Sequence, residues 1–316
     1  MGFWRSLFGG PYKPTVEETA AAAPDGPSLL NNIVDIPERK FVGLSARSPN
    51  GRYTLAWSDG GPDQTRKGRW LLLEGRKVIA DGRMPRPNDG KVCDTGIFIL
   101  NDWGSSSALS GTFKAFRPDG TVILTRKFSA NLFNNGLSAD GRFAVCQTCN
   151  APSEDAGGLF VFDLASGAEA HSWAPESGWA NTYEFSADGQ TVALGYAQMG
   201  AFRYTLAGEF IDRSLWLSAS LRKGDLYTVQ RLLAEVDGKP SPELVRLLLP
   251  AIETGMKALH ATQGKVKAFA LKLRGQCYDA LGDTAPALAA FTEALALDPK
   301  VGVKRRAEQL RKLQQP

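Results

Sequence analysis

Cysteine and histidine are scarce in this chain. Its 316 residues hold four of the first and two of the second. Four thiols do not make the disulfide framework of a small secreted module. The two imidazoles, His171 and His260, stand at no recognisable spacing from a nucleophile, so histidine-based acid–base chemistry has little to work with. No run approaches the roughly 20 apolar residues of a membrane-spanning helix. The glycines form no phosphate-cradling loop, and no P-loop lysine follows any of them. One CxxC is present, Cys146-Gln147-Thr148-Cys149, but it runs into Asn150-Ala151-Pro152, a loop in place of the helix start that would acidify a thiol. A zinc ion there would need two further ligands, for which Cys93 and His171 are the nearest in sequence. Cys146 and Cys149 are therefore weak metal candidates, and no cofactor is expected.

What the chain does contain is ordinary globular material, 43% apolar and 22% charged, enough for two domains. The net charge of +4 is concentrated at the end, where residues 300–316 hold six basic side chains against Glu308. A basic terminal helix with no aromatic or recognition motif beside it reads as a solvated face, and no nucleic-acid partner is expected. At the other end, MGFWRSLFGG is too short for a secretory core. Its Phe3, Trp4, Leu7 and Phe8 fall on one side of a helical wheel beside Arg5, which suggests weak peripheral membrane contact through residues 1–10. Taken together, these features point to the cytoplasm of a bacterium.

Residues 1–40 read as a lead-in or linker, with Pro11, Pro14, Pro27, Pro37 and the run Ala20–Ala23. From Phe41 the pattern becomes alternating. A phrase recurs: Ser48-Pro49-Asn50-Gly51-Arg52, Ser138-Ala139-Asp140-Gly141-Arg142 and Ser186-Ala187-Asp188-Gly189-Gln190, with Arg117-Pro118-Asp119-Gly120 as a relative. Asn-Gly and Asp-Gly close tight hairpins because they tolerate positive φ. A strand-like run follows each. Grouping the strands gives about four units, near 41–83, 91–128, 131–173 and 181–213, each with room for about four short strands. The phrase resembles the inner hairpin of WD-repeat-like propeller blades, although no Trp-Asp blade ending is present. The resemblance implies a β-propeller-like domain of about four blades over 41–213. A small ring, an incomplete ring closed by the helical part or a second copy, and a β-sandwich of the same hairpins all remain open.

After Asp212 the period turns helical. Residues 221–236 read as one helix with Leu226, Val229, Leu232 and Leu233 on a face. Ser241-Pro242-Glu243 starts another, which Pro250 is expected to kink or divide. Then comes the most legible segment, Ala268 to Val301. Counted from Ala268, it carries Gly275 at position 8, Tyr278 at 11, Gly282 at 15, Ala287 at 20, Phe291 at 24, Ala294 at 27 and Pro299 at 32. This spacing resembles a tetratricopeptide repeat. Leu271 replaces the usual tryptophan, and Arg274 stands where an apolar residue is common. The resemblance implies an α-helical hairpin stack over 214–316, closed by a capping helix from Val301 to Leu313.

A stack of this kind offers a groove along its first helices. Lys272 occupies the position at which some tetratricopeptide proteins grip a peptide's terminal carboxylate, but Gln276 replaces the companion asparagine. The expectation is a two-domain, non-enzymatic scaffold or adaptor that binds a protein or peptide. Lys265, Lys272, Gln276, Lys304 and Arg305 are candidates on the helices, and Trp57, Trp103 and Trp179 on the blades. The alternatives are a toxin-neutralising immunity protein, and a propeller hydrolase or lyase built on loop carboxylates.

Overall fold

The computed structural model describes residues 28–30, 32–61, 66–104 and 109–314; the expected membrane-contacting segment 1–10 lies outside them. Four antiparallel sheets come first. The first sheet holds β1 (Ser28–Leu30), β2 (Ile33–Ile36), β3 (Phe41–Arg47), β4 (Tyr53–Ser58), β5 (Gly68–Glu74) and β6 (Lys77–Met84) in chain order. The second holds β7 (Pro87–Val92), β8 (Phe98–Asp102), β9 (Gly111–Phe116) and β10 (Val122–Phe128). The third holds β11 (Leu132–Leu137), β12 (Phe143–Thr148), β13 (Leu159–Asp163) and β14 (Ala168–Trp173). The fourth has three strands, β15 (Thr182–Phe185), β16 (Thr191–Tyr196) and β17 (Gly200–Thr205). Two departures from expectation follow: β1 and β2 lie within the stretch read as linker, and the fourth sheet stops one strand short because the chain after Thr205 turns into a helix.

The repeated phrase has a repeated physical role. It joins β3 to β4 in the first sheet, β11 to β12 in the third and β15 to β16 in the fourth. In each copy the serine hydroxyl donates to the Asn or Asp carboxamide or carboxylate, at 2.8 Å from Ser48, 2.6 Å from Ser138 and 2.6 Å from Ser186. The same hydroxyl accepts from the backbone N–H five residues on, at Tyr53, Phe143 and Thr191. The glycine at the tip then takes a positive φ. In the second sheet this place is taken by Cys93-Asp94-Thr95-Gly96, while the fourth copy of the phrase closes β9 to β10.

The tips also pack in series. A methyl group on Gly96 would meet Tyr53 of the sheet before it at 3.0 Å, one on Gly141 would meet Cys93 Sγ at 2.7 Å, and one on Gly189 would meet Phe143 at 2.9 Å. At Gly51, in the first sheet, nothing lies within 4 Å.

The sheets stack face to face in succession, which excludes the two-layer sandwich. Leu55, Trp57, Trp70 and Leu72 pack on Phe98, Leu100 and Phe116 of the second sheet. Ile99, Phe113 and Ala115 pack on Ala144, Cys146 and Phe162 of the third, and Val145, Leu159 and Val161 pack on Val192, Leu194 and Tyr204 of the fourth. Middle strands are thus covered on both faces, and FILND, FAVCQT and LFVFD read as continuous runs for that reason. Stacked pairs at 4.7 Å (Phe98–Phe116) and 4.8 Å (Phe113–Phe162) bind successive strands and sheets, each adding about 0.5–1.5 kcal/mol beyond burial. Strands β3, β7, β11 and β15 converge on a cavity of about 280 Å³, lined by Arg47, Lys91, Asn135 and Tyr183 among others.

Six helices follow: α1 (Arg213–Lys223), α2 (Leu226–Glu235), α3 (Pro242–Lys257), α4 (Gly264–Ala280), α5 (Thr284–Leu297) and α6 (Lys304–Leu313). The single helix expected over 221–236 is two. Gly224 ends α1 at φ 79°, and the Asp225 carboxylate caps α2 by accepting from Tyr227 N–H at 3.0 Å. Pro250 does not divide α3, which runs unbroken from the Ser241 cap. Gly224 and Gly255 let α1 and α3 touch: a methyl group on Gly255 would lie 2.4 Å from Gly224 O. In the α4–α5 hairpin Gly275 does the same for Phe291, whose ring would stand 2.4 Å from an added methyl. Among the described residues no helix is long and apolar enough to cross a membrane.

The helices join the fourth sheet through an aromatic ladder and one acidic clasp. Tyr204 of β17 stacks on Phe210 at 4.0 Å, which in turn meets Trp216 of α1 at 5.6 Å. Glu176, in the loop before β15, takes a paired hydrogen bond from Arg213 of α1 at 2.8 Å and an ion pair from Arg231 of α2 at 3.2 Å.

Candidate partner-binding surfaces

Two surfaces collect four of the eight partner-binding candidates. The first is a groove of about 530 Å³ between α4, α6 and the loop that follows α2. Lys272 and Gln276 line it from α4, as the carboxylate-gripping expectation requires. They stand four residues apart and therefore one above the other on the helix. Behind them Ala268, Leu271 and Gly275 are buried, Gly275 against the Phe291 ring of α5.

The far wall of the groove carries groups that the sequence did not announce. Arg306 of α6 lines it together with Lys239 and Asp237 of the α2–α3 loop. Arg306 is held by a two-point ion pair to Asp279, at 2.7 and 2.6 Å. That hydrogen bonding raises its pKa further and leaves it charged at every physiological pH. Helical spacing would have found Arg306 only if the packing of α6 on α4 and α5 were already known. Lys272 makes no ion pair with any described residue, so its ammonium is available to a ligand.

The other helical candidates fall outside this groove. Lys265 is exposed on α4 two turns before Lys272, and Lys304 and Arg305 are exposed on α6 beside the lining residue Arg306. Lys267, on another face of α4, pairs with Glu293 at 3.0 Å.

The second surface lies at the end of the sheets opposite the repeated turns. Trp103 is 44% exposed and Trp179 40% exposed. The Trp179 indole N–H donates to Thr148 O at 2.8 Å, and its ring leans on Phe133 at 6.4 Å, so it is held in place while still open to solvent. Arg86 sits over the Trp103 ring at 5.7 Å. Trp57 does not belong with them. It pairs across strands with Trp70 and packs against the second sheet at 6% exposure. The alternation of β4 points it into the stack, so it serves the core and presents nothing to a partner.

The cysteine pair is separated by its strand. Cys146 lies fully inside, its thiol 3.7 Å from Asn101 Oδ1, and burial pushes its pKa well up. Cys149 sits half-buried in the loop beyond, also raised by burial. Burial thus disfavours the thiolate at both positions. No cluster of three metal-ligating side chains occurs among the described residues. His171 lies on the exposed edge strand β14, and His260 lies in the exposed turn after α3.

No family model matches the chain, and no curated protein matches it. Among solved structures it is similar to the C-terminal WD40 domain of Sif2, at 11% identity with a TM-score of 0.37 over 52% of this chain. The chain spans 46% of that structure's length. A likeness of this size carries no function across.

Proposed function

We propose that the chain is a non-enzymatic interaction scaffold that holds a peptide segment of a partner protein in the α4–α6 groove. The observation that carries this reading is the pairing of Lys272, an ammonium without an ion-pair partner among the described residues, with the Gln276 amide on the face of α4 that lines the groove. An ammonium and an amide so placed suit a carboxylate and an adjoining peptide group. Arg306 opposite them is already paired with Asp279, which also lines the groove, so the ligand's charge falls to Lys272. In this reading the succession of sheets is a propeller-like body that carries the helical stack and offers Trp179 and Trp103 as a second contact.

The enzymatic alternative finds no support in the loop carboxylates. Ser138 and Ser186 hydroxyls hold the Asp140 and Asp188 carboxyls below their ordinary range. Arg203 does the same for Asp212. At Asp59 burial acts upward, but hydrogen bonds from Arg86 outweigh it. These groups are structural anions with no capacity to donate a proton near neutrality. The cavity where β3, β7, β11 and β15 converge is lined by Arg47 and Lys91 and, among the described residues, by no carboxylate.

The test is an array of peptides printed with free and with amidated C-termini, probed with the full chain and with Lys272→Ala. Binding confined to free carboxylates and lost in the variant supports the reading. Equal binding to both peptide forms, or an unaffected variant, refutes it.

A further inference from the structure

A second open groove, of about 600 Å³, lies on the first sheet, well away from the helices. Five cations line it: Lys40, Arg66, Lys67, Arg69 and Arg83. One carboxylate, Asp59, is with them, and it is engaged by Arg86 through Nε and Nη2 at 3.1 and 2.9 Å. The neighbouring Asp81 is likewise taken, by Arg39 at 2.7 Å.

The arrangement is costly for the protein alone. Arg69 of β5 and Arg83 of β6 are direct cross-strand partners, so both project from one face of the sheet. Like charges directly opposite on one face destabilise the pair. Arg69 is nevertheless fixed, donating to Arg39 O at 2.9 Å with its guanidinium 5.7 Å from the Phe41 ring. A guanidinium with a set direction, a second one opposite it and three further cations around a recess suit a ligand with several closely spaced anionic oxygens. The recess has the volume of a small-molecule site.

We infer that this groove binds a small soluble ligand bearing several phosphate groups. The phosphates bridge Arg69 and Arg83 and relieve their repulsion, with Lys67, Arg66 and Lys40 closing around them. This site is independent of the α4–α6 groove, and either can fail without the other.

The experiment is isothermal titration of the full chain with sodium tripolyphosphate and with inositol hexakisphosphate, at 50 and 200 mM NaCl, with citrate as a polycarboxylate comparison. The expected result is saturable 1:1 binding of at least one phosphate probe, weakened by added salt and stronger than citrate. Arg69→Gln with Arg83→Gln should reduce it at least tenfold, and Lys77→Gln, at the far end of β6, should leave it unchanged. The unliganded double variant should melt no lower than the wild type, because its opposed charges are gone. If it does melt lower, Lys67→Gln alone, at an exposed position, should still weaken binding severalfold.

No saturable heat from either phosphate probe at 50 mM NaCl overturns the inference. So does citrate binding as tightly, or Lys77→Gln losing as much as the groove variants. Flotation with vesicles containing phosphatidylinositol bisphosphate, without binding of the soluble probes, overturns it in favour of a membrane surface.

Discussion

Gly275→Ala sets two opposing effects against each other inside α4. A buried helical glycine replaced by alanine gains about 1 kcal/mol from backbone entropy and propensity. Here the new methyl would stand 2.4 and 2.5 Å from two carbons of the Phe291 ring. Phe291 is 1% exposed and packed against Ala287, Ala307 and Leu310, so it has no free space to retreat into. Overpacking of this kind costs about 1–3 kcal/mol and more when the neighbour is pinned. The clash outweighs the propensity, and the expected net loss is about 1–2 kcal/mol.

The sign should reverse when the ring is removed. In a Phe291→Leu background, itself destabilised by about 1–2 kcal/mol, Gly275→Ala should be neutral or stabilising by up to about 1 kcal/mol. Gly264→Ala, at a position with nothing within 4 Å, serves as the propensity control in the same helix. Urea denaturation followed by the helical circular dichroism signal measures the wild type and all four variants. If Gly275→Ala destabilises equally with phenylalanine and with leucine at 291, the steric account of the hairpin is wrong.

Three further outcomes follow from the geometry. Ser138→Ala removes the hydroxyl to which the buried Phe143 N–H donates and should cost about 1–3 kcal/mol. Asp140 is held low in the fold by that serine, so its contribution is present above the ordinary carboxylate range and lost as pH falls through the depressed value. The acid limb of the stability curve should accordingly be shallower in Ser138→Ala. Glu176→Gln breaks the clasp to Arg213 and Arg231 and should lower stability by about 1 kcal/mol at neutral pH. Burial raises the Glu176 pKa but the two arginines outweigh it, so the difference from wild type should vanish only at strongly acid pH, and thermal melts across pH 2–7 check this. Finally, Cys146 should resist iodoacetamide in the native protein at pH 8 while Cys149 reacts slowly, as peptide mass spectrometry would show. Rapid native labelling of Cys146 would contradict its placement.

Local chemistry was legible in the sequence wherever one short segment decides its own shape. The Ser-x-Asp-Gly turns are of this kind, because each closes on its own serine within five residues. So is the α4–α5 pair, whose glycine and phenylalanine spacing sets the helix contact. Legibility failed where a partner element decides. Gly224 divides a run of helical period because α3 approaches it at Gly255, and no periodicity within 221–236 reports that. Trp57 sits on a strand buried on both faces, so alternation does not reveal that it lies in the core. Arg306 joins Lys272 through the packing of α6, and the Arg69–Arg83 pair arises from strand register. Each involves residues far apart in sequence, and none leaves a spacing to read.

The most direct test of the scaffold reading is affinity capture from the native host's lysate, with full-length wild type, Lys272→Glu and Trp179→Ala compared by quantitative mass spectrometry. The account predicts one protein recovered in stoichiometric amount by the wild type, lost with Lys272→Glu and at most reduced with Trp179→Ala. Recovery of the same partner by Lys272→Glu at wild-type level, or no stoichiometric partner with any of the three, would contradict it.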